Sequence, residues 1–149
     1  MRDISRHPAP QAGDVINQPG HPLDGFVVVS AYIRAQALAD GVLVDAPSGD
    51  LGPISTQHFP GVHVAMTAAV AALIEQAVSC PKYCNDRQGV WHDVLHMSGM
   101  SPIPTVPSHR LFQVIITGTG RRRLHTLKAV AHLGDRGEPF LTIMLPNED

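Results

Sequence analysis

The chain has 149 residues, of which 44% are hydrophobic, and this supplies enough apolar surface for one compact core. Its formal net charge of −2 excludes a surface that is basic throughout for nucleic acid, and equally an acidic mimic of DNA. No apolar run is long enough to span a membrane and no secretory leader is recognisable, so we expect a cytoplasmic protein without membrane contact.

The first 25 residues contain four prolines and no periodic apolar face. Because proline fixes φ and lacks an amide donor, residues 1–25 are expected to be a flexible N-terminal arm. We expect residues 26–149 to form a single α+β domain, in which an antiparallel β-sheet packs against two or three helices.

Short local signals predict the first elements of the domain. Residues 26–29 are rich in valine and predict a strand, and Ser30 is a good N-cap for a short helix over residues 31–41. Residues 42–45 predict a second strand. The interval 46–60 contains several prolines and glycines, so it is expected to be a long loop that is either mobile or binds something.

The clearest helix prediction covers residues 64–78. Apolar side chains recur there at intervals of three to four residues, and five alanines between them allow close packing. Glu75 and Gln76 are its only long polar side chains, so the helix is expected to be buried around most of its circumference.

Four potential metal ligands follow this helix. Cys80 and Cys84 are separated by three residues, and His92 and His96 share one face if residues 90–97 are helical. Such a set is able to close a tetrahedral Cys₂His₂ site, and zinc is the cofactor that it predicts. The alternative is a buried thiol with surface histidines, because nine histidines in the chain make a chance pair common.

The last forty residues predict a three-stranded antiparallel meander. Apolar residues alternate along three runs, and glycine-containing turns at 117–120 and 134–137 separate these runs. The apolar face consists of Phe112, Val114, Ile116, Leu127, Ala129, Ala131, Leu141, Ile143 and Leu145. The opposite face is expected to be solvated. It carries Gln113, Thr126, Lys128, His132 and Thr142.

Four stretches of the chain, residues 30–45, 91–95, 125–130 and 137–146, resemble an uncharacterised family of small proteins of unknown function. That family is widespread on bacterial plasmids, prophages and other mobile elements. The resemblance covers most of residues 30–149, and Cys80, Cys84 and His96 lie outside its pattern, so it does not imply a zinc site in the family. It implies no activity, but it implies a context in which small proteins bind a component of host defence or of the element's own maintenance.

From this context we expect a non-enzymatic accessory protein that binds a host nucleic-acid-handling or defence complex, as an anti-CRISPR or antirestriction inhibitor does. The long loop and the arm are available for docking. The candidate residues for contact with the partner or with phosphate are Arg121, Arg122, Arg123, Lys128, Tyr32 and Arg34.

Two alternative hypotheses use the basic C-terminal hairpin directly. In a small RNA- or DNA-processing enzyme, His125 or His132 would transfer a proton beside Lys128, although strict alternation places His125 on the face opposite Lys128. In a nucleic-acid-binding regulator, Arg121–Arg123 and Lys128 would contact phosphates. The sequence has no helix-turn-helix pattern, and its only tryptophan, Trp91, is expected to be a core anchor rather than a base-stacking platform.

Overall fold

The computed structural model describes residues 19, 28–31, 43–45, 49–100, 110–133 and 138–148. Within these residues the chain forms six strands and three helices. The strands are β1 (Val28–Ala31), β2 (Leu43–Asp45), β3 (His63–Thr67), β4 (Arg110–Ile115), β5 (Leu124–Leu133) and β6 (Pro139–Met144). The helices are α1 (Gly52–His58), α2 (Ala68–Ser79) and α3 (Arg87–Met100). This is the α+β architecture that the sequence predicts.

All six strands belong to one mixed sheet. Its order is β1-β5-β6-β3-β2, and β4 pairs with β5 beside this path. The strands β4, β5 and β6 pair antiparallel in chain order, so the predicted meander is confirmed. The strand β2 pairs antiparallel with β3, whereas β3 joins β6 and β1 joins β5 in parallel. The sheet is therefore mostly antiparallel.

The strand β5 has ten residues and organises one half of the sheet. Its first six residues pair with β4 and its last six pair with β6, and Ala129 has Arg110 on one side and Ile143 on the other. The strands β4 and β6 therefore lie on opposite edges of β5. The short strand β1 pairs near the end of β5, with Ala131 and Leu133, on the edge that β4 has left.

The apolar face of the meander is buried as predicted. Eight of its nine predicted side chains are at most 5% exposed, and Leu145 is half-buried against them. Trp91 and Leu95 of α3, together with Val70 and Ile74 of α2, belong to the same apolar cluster. Because an antiparallel strand alternates its side chains, one apolar residue in two is enough to give the continuous face on which both helices pack.

The helix predicted over residues 64–78 begins later, at Ala68, so the prediction is wrong for residues 64–67. These residues belong to β3, which lies between β2 and β6 and is buried from Val64 onward. Thr67 then starts α2, since its backbone is extended (φ −72°, ψ 161°) and its hydroxyl accepts a hydrogen bond from the Val70 N–H. For residues 64–67, pairing with a strand on each side stabilises the extended conformation more than one additional turn would stabilise the helix.

The long loop predicted over residues 46–60 is also corrected. Its second half folds as α1, with Pro53 in the first turn, where the missing amide removes no helical hydrogen bond. Ser55 and Phe59 face the core and are 2% and 3% exposed. These contacts stabilise a helix that is too short to be stable alone.

Several predictions fall on residues outside those described. They include the helix over residues 31–41 beyond Ala31, the turn 134–137 and the arm 1–25 apart from residue 19. The predicted first strand is present as β1, but this strand continues through Ser30 and Ala31, and Ala31 pairs with Leu133 of β5. The prediction of a helix N-cap at Ser30 is therefore wrong. The strand predicted over residues 42–45 is confirmed as β2.

The face of the sheet opposite the helices is less open than predicted. Lys128 and Thr142 are only 7% and 1% exposed, whereas Gln113 is exposed as expected. The chain after β6 turns back over this face, and the Lys128 ammonium donates a hydrogen bond to the main-chain carbonyl of Glu148. A second, smaller apolar cluster lies on this face of the sheet. This cluster consists of Leu43, Ala65 and Phe140.

Candidate functional site

The helix α3 is fixed in place by its tryptophan. Trp91 is completely buried, and its indole Nε1–H donates a hydrogen bond to Ser55 Oγ at 2.9 Å. Ser55 Oγ in turn donates to the main-chain carbonyl of Leu51 at 3.0 Å. Trp91 is thus the core anchor that the sequence predicts, and it holds α1 against α3.

The outer edge of β4 carries backbone groups that β5 does not use. Within the described residues β4 pairs with β5 alone, and the Ile116 N–H donates to the Arg123 carbonyl at 2.8 Å. Hydrogen-bonded and non-hydrogen-bonded pairs alternate in an antiparallel ladder. The residues Gln113 and Ile115 therefore occupy non-hydrogen-bonded positions, and their N–H and C=O groups point away from β5.

A groove of about 370 Å³ lies along this edge, between α3 and β4. We call it the edge groove. Its lining residues are Asp93, His96, Met97, Gln113, Val114, Ile115 and Leu124. Ile115 and Leu124 face each other across the ladder and are 65% and 48% exposed, and Met97 is 38% exposed. Soluble proteins that leave large apolar side chains together at a surface commonly use them for binding.

Three histidines meet between α1 and α3, and we call them the histidine cluster; one of them, His96, also lines the edge groove. His92 and His96 lie one turn apart on α3, with their rings stacked at a centroid distance of 5.9 Å. His58, from the end of α1, has its ring centroid 4.7 Å from that of His92 and 6.1 Å from that of His96. Burial lowers the pKa of His58 below its ordinary value of 6.5, and the neighbouring imidazoles lower it further.

The predicted Cys₂His₂ set is not assembled into a ready metal site. Cys80 is half-buried and Cys84 is exposed, and both are free thiols. No group of three or more histidine, cysteine, aspartate or glutamate side chains in the described ranges is arranged to hold a metal ion as it stands. The helix that carries His92 and His96 is present as predicted, and zinc binding by the four residues stays a prediction.

The predicted basic residues form an exposed turn. Arg121, Arg122 and Arg123 are all exposed between β4 and β5, and we call this segment the arginine turn. Gly118 and Gly120 precede it with positive φ values of 90° and 97°, which confirms the predicted use of glycine there. The arginine turn ends directly at Leu124, so it adjoins one end of the edge groove.

His125 lies beneath the arginine turn rather than in an open site. The His125 Nε2 is 2.8 Å from Thr119 Oγ1. Burial is the main cause that lowers the pKa of His125, and the Arg122 guanidinium lowers it further. A small pocket of about 250 Å³ is lined by Arg122, His125 and the segment 145–147. The ring nitrogen is thus already engaged by a hydroxyl, which weakens the hypothesis that His125 transfers a proton in catalysis.

The other candidate contact residues are separated from the arginine turn. Lys128 is buried on the far face of the sheet and bonds to Glu148, so a phosphate would reach its ammonium only if that contact opened. His132 lies in β5, but its side chain is outside the described part of the structure, as are Tyr32 and Arg34. Of the predicted contact residues that are described, the structure brings together only the three arginines.

Sequence analysis missed both His58 and the edge groove. His58 lies in the interval for which the sequence predicts a loop, although Gly52-Pro53 followed by six residues without glycine or proline is a usable helix signal. The groove had a signal too, since Ile115 and Leu124 are apolar at positions where strict alternation points them to the solvated face.

Comparisons with protein-family models, with curated proteins and with solved structures found no match to this chain. Among the parts of the chain that the structure describes, no helix is both long and apolar enough to cross a membrane.

Proposed function

We propose that this is a non-enzymatic binding protein that takes up an extended segment of a partner protein along the outer edge of β4. The observation that carries the proposal is the pair Gln113 and Ile115, whose backbone groups point away from β5 and which both line the edge groove. An unpaired strand edge beside an apolar groove is the arrangement used for β-strand addition, in which main-chain hydrogen bonds give affinity and side-chain pockets give specificity.

The side chains of the groove indicate what the incoming segment contains. Met97, Ile115 and Leu124 offer apolar surface at its two walls, and Met100, 62% exposed, lies one turn further along α3. Four of the five large apolar side chains that are exposed in the described residues therefore lie at or beside this site. Methionine adapts its shape to a partner, so the groove suits an apolar side chain that alternates with polar ones along an extended peptide.

The charge around the groove adds a second requirement. The arginine turn adjoins Leu124, and its three side chains are exposed. A partner segment with acidic residues on the side that passes Arg121–Arg123 would gain charge-assisted hydrogen bonds and faster association. We therefore propose an apolar strand with an acidic flank as the ligand.

The resemblance to a family carried by mobile elements suggests where to look for this segment. We propose a host nucleic-acid-handling or defence complex as the partner, bound in the cytoplasm, with inhibition of the anti-CRISPR or antirestriction type as the biological effect. Occupation of the groove by a strand from such a complex requires no reaction chemistry from this chain.

The experiment starts with proteins captured from host lysate and continues with the purified captured component. Ile115→Lys places a charge in the groove, and Gln113→Pro removes an outward N–H at an edge position, where proline is tolerated in strands. Each change is expected to weaken binding about tenfold or more, which corresponds to about 1.4 kcal/mol. The matched control is Val44→Lys, since Val44 is an exposed apolar residue (38%) on β2, away from β4.

Hydrogen exchange distinguishes strand addition from other contacts. Binding is expected to protect the amides of Gln113 and Ile115, which point outward in the free protein. The proposal is wrong if the captured component binds both groove variants as tightly as the parent, or if Val44→Lys weakens binding to the same extent.

A nucleic-acid-binding regulator is the second candidate, and the arginine turn favours it. Three consecutive exposed arginines next to a pocket lined by Arg122 and His125 offer several donors to phosphate oxygens. A gel-shift series over salt concentration tests this candidate, because phosphate contacts weaken steeply as salt rises. Replacing Arg121–Arg123 by glutamine should abolish the gel shift. The separate variant Ile115→Lys should not reduce it. Incubation with labelled RNA and DNA tests the enzymatic alternative at the same time.

A further inference from the structure

We infer that His58, His92 and His96 form a binding site for a divalent transition-metal ion of the zinc class, which adjoins the edge groove through His96. Histidines at i and i+4 on one helix face are a recurrent chelating pair, and here a third imidazole from a different element closes on them. Three histidines with one open position is a common ligand set for zinc.

The spacing of the three rings fits one metal ion. A zinc–nitrogen bond of about 2.0–2.1 Å places the metal about 3 Å from the centroid of each ligating ring, so at the tetrahedral angle two rings on one ion have centroids about 5 Å apart. The three centroid distances here are 4.7, 5.9 and 6.1 Å. The His58 and His92 rings already have this spacing, whereas the His96 ring has to approach both of them by about 1 Å.

The rings have to turn before they bind. In their present orientation they do not form a ready metal site, and the His92 and His96 rings lie nearly parallel, with an angle of 7°. Rotation about the terminal torsion of histidine is soft, and both side chains have room because His96 is exposed and the His92 side chain is 44% exposed. Binding therefore needs side-chain rotation but no movement of the helices.

Two further contacts favour a bound cation. The His58 Nε2 is buried without a hydrogen-bond partner, and a metal ion on that nitrogen would satisfy it. The Asp93 carboxylate lies 3.4 Å from His92 Nδ1. A carboxylate on one ring nitrogen orients the imidazole and leaves the other nitrogen for the metal, as in many zinc sites.

The three-histidine site and the Cys₂His₂ set predict different effects of single substitutions on zinc affinity. The three-histidine site requires His58 and is indifferent to the cysteine pair. The Cys₂His₂ set requires Cys80 and Cys84 and is indifferent to His58. His92 and His96 belong to both sets, so variants of these two residues cannot separate the hypotheses, whereas His58 and the cysteines can.

The experiment uses the full chain without a polyhistidine tag, titrated with zinc chloride in a calorimeter, and with stoichiometry checked by elemental analysis after dialysis. His58→Asn, His92→Asn and His96→Asn are each expected to weaken zinc binding about 100-fold, because a ligand is lost from a three-ligand site. The matched control is His63→Asn, an exposed histidine on β3 that lies outside the cluster. The double variant Cys80→Ser/Cys84→Ser is expected to bind zinc like the parent.

Trp91 provides a second readout that does not depend on calorimetry. It precedes His92 directly and is the only tryptophan of the chain, so bound Co²⁺ or Cu²⁺ should quench its fluorescence in the parent but not in His58→Asn. An unchanged circular dichroism spectrum and melting temperature in the absence of metal show that each variant is folded. The inference is overturned if the parent binds no zinc at one ion per chain, if His58→Asn binds as the parent does, or if the cysteine variant loses binding.

Discussion

Trp91 and Ser55 join α3 to α1 through a buried hydrogen bond of 2.9 Å, and Ser55 passes the connection on to the Leu51 carbonyl. This relay explains why α1 forms at all, although it has only seven residues. It also sets the position of His58, because the last residue of α1 can reach α3 only while α1 stays docked. The helix pair and the histidine cluster therefore depend on the same contact.

Replacing Ser55 by alanine should destabilise the protein. The change leaves the completely buried Trp91 Nε1–H without an acceptor, and the expected cost is about 1–3 kcal/mol of unfolding free energy. The matched control is Thr56→Ala, one residue later, whose hydroxyl makes the same kind of bond to the carbonyl four residues before it but which is exposed. We expect about 0.5 kcal/mol or less for the control.

Urea unfolding monitored by Trp91 fluorescence measures both variants. In Ser55→Ala the emission of the folded state should also change, because the indole loses its hydrogen bond. Equal stability losses in the two variants would show that the hydroxyl bond to the helix carbonyl, and not the tryptophan contact, carries the effect.

The turn between β4 and β5 packs on the end of α2, and Gly118 makes this possible. A Cβ atom at Gly118 would lie 3.0 Å from the Ala77 carbonyl oxygen and 3.0 Å from the Cys80 Cβ, whereas a Cβ at Gly120 would meet nothing within 4 Å. Both residues have positive φ, so alanine at either position should cost about 1–3 kcal/mol in backbone strain. Gly118→Ala should cost distinctly more, since it also has a close contact with backbone that cannot move easily.

Thermal unfolding of the two alanine variants tests this difference. Subtracting the Gly120→Ala effect from the Gly118→Ala effect isolates the packing of the turn against α2. A difference near zero would mean that the turn can lift from the helix without loss.

How far the sequence predicts this fold depends on whether the deciding contacts are local. The meander is predicted correctly because alternation and turn glycines lie within one stretch of chain, as Phe112 and Leu127 illustrate by pairing across a single turn. The boundary before Ala68 is not predicted, because residues 64–67 become a strand through pairing with β6, more than seventy residues away. The burial of Lys128 likewise depends on the returning C-terminal segment.

The same limit applies to the candidate site. The sequence predicts the i and i+4 spacing of His92 and His96 because one helix contains both. It cannot predict the approach of His58, which comes from a helix stabilised by the buried Trp91 contact. The arginine turn is predictable because its three residues are contiguous in the sequence, whereas the edge groove requires α3 and β4 to lie side by side.

Thr67 and Glu148 form a coupled pair that links the start of α2 to the C-terminal segment. The Thr67 hydroxyl donates to the Glu148 carboxylate at 2.7 Å while it accepts from the Val70 N–H, and the same carboxylate oxygen accepts from the Leu145 N–H at 2.8 Å. We expect Thr67→Ala and Glu148→Ala each to cost about 1–2 kcal/mol, through the lost cap and the lost charge-assisted bonds.

A double-mutant cycle measures the coupling of this pair. The double variant should be more stable than the sum of the single effects predicts, by about 0.5–1.5 kcal/mol, because the bond between the two side chains is lost only once. Thr56→Ala combined with Glu148→Ala serves as the control and should be additive. Additivity in the first cycle would show that the hydroxyl and the carboxylate do not interact in solution.

Protonation of His125 should weaken the hairpin below neutral pH. Its pKa is lowered from 6.5, first by burial and then by Arg122, so the unfolded chain takes up a proton at a higher pH than the folded protein. The contribution of His125 to the free energy of unfolding therefore has its full value above about pH 6.5. It is lost as the pH falls from there through the lowered pKa of the folded protein. An NMR titration of the His125 ring should give a midpoint below 6.5. Arg122→Gln should raise that midpoint, whereas Arg121→Gln should leave it nearly unchanged; a midpoint at or above 6.5 in the parent would contradict the burial of this imidazole.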